Sequence, residues 1–71
     1  MDETSWHSRF YMAFIYDQLG NLEMGKDADK ADDYFDLALD YLDDANERKE
    51  SEESYALKSS IYGKKIGLSP I

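Results

Sequence analysis

His7 is the chain's one histidine, and it stands beside Trp6. A general base needs a partner that orients its ring, and a thiol nucleophile is excluded because there is no cysteine. The expectation for His7 is therefore a surface side chain. The run "KDADKADD" (Lys26–Asp33) alternates carboxylates at Asp27 and Asp29 in the manner of a calcium loop. Ala31, however, stands at the third ligand position, Asp32 at the glycine and Ala38 where a bidentate glutamate is required. Di-iron sites in helical bundles use inward-facing carboxylates and a Glu-x-x-His motif, which this sequence lacks. The residues predict no catalytic group, no metal ligand and no cofactor. A small metal- or cofactor-binding bundle stays a rival reading, and it would require a polar cluster facing inward.

What the chain has in abundance is carboxylate and aromatic surface. Sixteen acidic residues against eight basic ones give a net charge of −8 over 71 residues. That field repels phosphate backbones and anionic lipid, so no nucleic-acid partner is expected. The longest apolar run, Met12–Tyr16, is far short of a membrane span of about 20 residues, and the acidic start "MDETSW" does not read as a secretory signal. No membrane partner is expected, and the chain reads as soluble. Its compartment is left open, because the absence of cysteine removes the usual redox clue. Six tyrosines, three phenylalanines and a tryptophan argue for a folded domain, since they supply area to bury.

The elements that must carry these residues are helices. From Ala31, the residues Phe35, Ala38, Leu42 and Ala45 recur at steps of four and three, with Tyr34, Leu39 and Tyr41 at the margins. Asp29, Asp32, Asp33, Asp36, Asp40, Asp43, Asp44 and Glu47 fall on the opposite arc. This helix, residues 28–48, is apolar on one side and acidic on the other, and the acidic arc reads as a solvated face. Asp27 or Asp29 can cap its start. A first helix, 5–24, carries two apolar faces: Trp6, Phe10, Ala13 and Phe14, and Tyr11, Ile15, Leu19 and Leu22. Gly20 should weaken it, and Gly25 should terminate it. A third, 52–67, opens at "SEES" with Ser51 as cap. Its apolar faces are Tyr55, Tyr62 and Ile66, and Leu57, Ile61 and Leu68, separated by the small residues Ala56, Ser60, Gly63 and Gly67. Short connections predict antiparallel neighbours, so the fold class is all-α, a single antiparallel three-helix domain spanning residues 1–71.

Ile15 and Tyr16 align with Ile61 and Tyr62 at an offset of 46 residues. Met12, Ala13 and Tyr16 on the first helix match the large–small–aromatic marks of a known helix-pair repeat, and Ala31, Phe35 and Ala38 match the small–aromatic–small marks of its second helix. Over residues 6–67 the chain resembles a tetratricopeptide-like repeat followed by the first helix of the next. It departs from that family's period of about 34 residues by about twelve, with about six, or nearly two turns, added between each helix and the next. Arg9 stands where a large apolar residue is usual, and Lys58 stands in place of the leucine. The resemblance implies a non-enzymatic module that binds a peptide or partner protein along its first helices. Carried over by register from Tyr16, the groove positions are His7, Phe10, Tyr11, Phe14, Asp17 and Gln18. Glu53, Ala56, Leu57, Ser60, Gly63 and Lys64 follow on the third helix. The lysine and asparagine set with which some family members clamp a terminal carboxylate is missing at these positions, so acidic tails are disfavoured as ligands. Alternatively, Phe10 and Phe14 pack in the core or against a second copy. One and a half repeats leave apolar faces that a neighbour would cover. A homodimer is therefore expected, and a purely structural oligomerisation unit without a peptide ligand is the second reading.

Overall fold

The computed structural model describes residues 3–68, with side chains from Ser5 onward, as α1 (Glu3–Glu23), α2 (Ala28–Arg48) and α3 (Glu52–Leu68). The chain is all-α, and the predicted helices lie within two residues of those observed. Asp27 caps α2, its carboxylate accepting from the Lys30 N–H at 3.1 Å. Ser51 caps α3, its hydroxyl oxygen accepting from the Ser54 N–H at 3.1 Å and donating to the Ser54 hydroxyl at 2.9 Å. Gly25 is not the terminator expected of it. The Glu23 carbonyl closes the turn by accepting from the N–H groups of Lys26 (2.9 Å) and Asp27 (2.8 Å), and no glycine among the described residues has a positive φ.

Contacts along the hairpin fix its antiparallel sense. The Lys49 ammonium lies 5.5 Å from the Trp6 ring, and Arg9 donates to Asp44 at 2.8 Å. Tyr16 stacks between Tyr41 (5.7 Å) and Tyr34 (6.1 Å). The expected stripe of α2 is the centre of the core: Ala31, Phe35, Ala38, Leu42 and Ala45 are all fully buried. Ala13 and Ile61 complete the core from the other two helices, with Phe10, Tyr16, Leu57 and Leu68 packed around it. Of the two arrangements open to α3, the structure takes the one with Leu57, Ile61 and Leu68 inward. Tyr55, Tyr62 and Ile66 are left exposed.

Gly20 has a packing role beyond helix propensity. α1 runs past it to Glu23, and a Cβ added at Gly20 would lie under 3.0 Å from the Phe35 ring. The glycine is the seat on which that ring rests. Gly63 is the opposite case, since a Cβ there would meet nothing within 4 Å. Gly63→Ala should therefore stabilise by about 0.5–1 kcal/mol through helix propensity alone. Gly20→Ala should instead destabilise, because overpacking costs of about 1–3 kcal/mol exceed that gain. Urea melts of the two variants check the opposite signs, and a more stable Gly20→Ala protein would contradict this packing.

The acidic arc of α2 is only partly a solvated face. Lys58 donates to Asp43 at 2.7 Å, and the Lys65 ammonium lies between Asp32 (2.9 Å) and Asp36. Arg9 and Arg48 both reach Asp44. α3 thus grips one edge of the arc with lysines while α1 grips the other with arginine. The Arg9 hydrogen bond holds the Asp44 carboxyl below its ordinary value of 3.8; burial opposes it, and the charges of Arg48 and Arg9 add to the lowering. A depressed carboxylate adds stability above its unfolded pKa and loses it as the pH falls through the folded value. Arg9→Met should accordingly move the acid-unfolding midpoint to higher pH. Lys58 is raised by its hydrogen bond to Asp43. For Lys65, burial opposes the charge and hydrogen bonds to Asp36 and Asp32 outweigh it. Both lysines therefore contribute below their unfolded pKa, and that contribution disappears only as strongly alkaline pH passes their folded values. Circular dichroism across an acid titration checks the Arg9 variant, and an unchanged midpoint would contradict the role given to that pair.

Candidate protein-interaction face

The residues predicted to line a groove divide into two sets on α1. His7, Tyr11, Phe14 and Gln18 follow one another at steps of four, three and four, so they share a face, and all four are exposed. Tyr11 is 65% and Phe14 46% accessible. Phe10 and Asp17 lie toward the interior. Phe10 is half-buried and stacked on Trp6 at 5.2 Å with the rings 7° from parallel. The His7 ring meets Trp6 edge-on at 4.9 Å. Trp6 itself is buried. The sequence had placed it on an apolar face, and its role is to fix the rings of His7 and Phe10 from below.

Asp17 is 3% exposed, and its carboxylate accepts from the Lys64 ammonium of α3 at 2.8 Å. The neighbouring Gln18 amide donates weakly to its second oxygen at 3.4 Å. Lys64 also lies 5.7 Å from the centroid of the Phe35 ring, so one ammonium joins α1, α3 and the centre of α2. The ion pair spans 47 residues in sequence, close to the repeat offset of 46, and sets α3 beside α1. On α3, Glu53, Ala56, Ser60 and Gly63 are exposed and Leu57 is half-buried. The α1 part of the face is therefore an aromatic rim without a carboxylate or ammonium group, and Asp17 and Lys64 brace it beneath. Its chemistry is apolar contact, ring stacking and single hydrogen bonds from His7, Tyr11 and Gln18.

A second cluster has the geometry of a cation site. Carboxylate oxygens of Asp32, Asp33 and Asp36 lie within 4.8 Å of one another. The Lys65 ammonium already occupies it, contacting two of the three. Nor do Asp27 and Asp29 form a loop, since Asp27 is spent on the cap and Asp29 lies in the first turn of α2. No helix among the described residues is long and apolar enough to cross a membrane. No protein-family model, no curated protein and no solved structure matches the chain.

Proposed function

We propose that the chain is a non-enzymatic, tetratricopeptide-like interaction module that binds a peptide segment of a partner protein along the outer face of α1. The observation that carries this reading is the exposure of Tyr11 and Phe14, in line with His7 and Gln18, on a helix whose inner side is locked by Phe10, Trp6 and the Asp17–Lys64 pair. Aromatic side chains held by a rigid backbone give large contact area at small entropic cost, which is why they dominate binding hot spots. The parallel placement of α1 and α3 near the repeat offset supports the family likeness. The ligand is an apolar segment of neutral or positive charge, because a chain of net charge −8 repels an acidic one.

Selection from a phage-displayed random peptide library against the immobilised chain tests this. Enriched peptides should carry large apolar residues and lack net negative charge. Phe14→Ala should weaken the best of them by about tenfold or more while leaving the helical signal intact. No enrichment, or equal affinity for the variant, would count against the proposal.

A further inference from the structure

A different face of α1 carries its own pattern. Ser8, Met12, Ile15, Leu19 and Leu22 recur at steps of four, three, four and three, the spacing of an interhelical seam. The seam lies on the side of α1 turned away from Asp17. None of the five is charged. Leu22 is 66% exposed, Met12, Ile15 and Leu19 are half-buried, and Tyr11 flanks them.

The internal repeat gives this seam a meaning. At the offset of 46, Tyr11, Ile15 and Leu22 correspond to Leu57, Ile61 and Leu68. Those are the residues α3 turns into the core, with Ile61 fully buried. On α3 the face is covered by a helix, and on α1 the equivalent Tyr11 and Leu22 are exposed and Ile15 is half-buried. The same offset matches Lys58 and Lys65, which grip aspartates of α2, to Met12 and Leu19. An acidic helix like α2 would find no cation to hold here, so the occupant is a helix whose own seam is apolar and uncharged. α1 itself is such a helix.

We infer that two copies of the chain pair through this seam, α1 against α1, antiparallel about a two-fold axis. Antiparallel pairing sets Ile15 level with the partner's Leu19 and Met12 level with the partner's Leu22, and it opposes the two helix dipoles favourably. It also lets two chains of charge −8 meet without apposing carboxylates, since the acidic arc lies on α2. In that register Ser8 has no partner on the facing α1, which ends at Glu23, and the paired seam from Met12 to Leu22 is about 15 Å long. That is at the small end for a specific interface, so the dimer should dissociate in the micromolar range. The seam adjoins the peptide face and shares its flanking Tyr11, whereas Phe14, the main anchor of the peptide face, lies outside the seam.

Sedimentation equilibrium of the full chain from about 1 μM to 1 mM tests the pairing. The wild type should pass from monomer to dimer over this range. Leu22→Glu and Met12→Lys should each raise the dissociation midpoint by about tenfold or more. Combined in one chain they should restore the dimer, because each glutamate then faces a lysine across the axis. Phe14→Ala should leave association unchanged, which separates this pairing from the peptide face. The inference is overturned by a wild type that stays monomeric, by a dimer that tolerates Leu22→Glu, or by a double variant that stays dissociated.

Discussion

Phe35→Ala should destabilise the protein by about 3–5 kcal/mol, the range for removing a fully buried aromatic ring. The ring has no exposed surface, rests on the backbone at Gly20, and lies beneath the Lys64 ammonium. Its loss would leave a cavity where all three helices meet. Small domains have total stabilities at the low end of about 5–15 kcal/mol, so the variant should be largely unfolded at room temperature. Asp40→Ala, on the exposed side of the same helix, should change stability by no more than about 0.5 kcal/mol. Urea melts of the pair decide the matter, and equal effects would mean that α2 faces another way.

Lys64→Met should come next, at about 2–4 kcal/mol. The substitution strands the carboxylate of Asp17, which is almost wholly enclosed and keeps only the long contact to Gln18. The figure is set below that for a fully buried pair because about a quarter of the Lys64 side chain reaches solvent. Replacing both partners, Asp17→Leu with Lys64→Met, should recover most of the loss, since an apolar pair leaves no buried charge. Hydrogen exchange should show α3 opening first in the single variant, because Lys64 is the ion-pair link between α1 and α3. A single variant as stable as the wild type would remove Lys64 from that role.

The two halves of the fold were unequally legible in the sequence. In α2 one face is apolar and the other acidic, so Ala31, Phe35, Ala38, Leu42 and Ala45 could be read directly as core, and all five are. In α1 and α3 large residues point nearly all round, and periodicity alone cannot say which face is covered. The choice between Leu57–Ile61–Leu68 and Tyr55–Tyr62–Ile66 is made by α2, and a wheel drawn for α3 alone does not contain it. Gly20 looked like a weak point because propensity is local, whereas its role is set by Phe35 on the next helix. Part of the acidic arc looked solvated because its cations come from Arg9, Lys58 and Lys65 on other helices. Among the groove residues, the sequence grouped Phe14 with Phe10 and set Tyr11 on the other face, whereas the structure exposes His7, Tyr11, Phe14 and Gln18 together and turns Phe10 inward. The burial of Asp17 was hidden until Lys64 was brought against it.

Binding along the outer face of α1 is tested most directly by amide chemical-shift mapping during titration of the labelled chain with a library-selected peptide. The largest shifts should cluster at His7, Tyr11, Phe14 and Gln18 and reach saturation, and in Phe14→Ala they should need about tenfold more peptide or more to do so. Shifts centred on the α2 acidic arc at Asp33 and Asp40, or none at peptide concentrations that saturate binding, would contradict it.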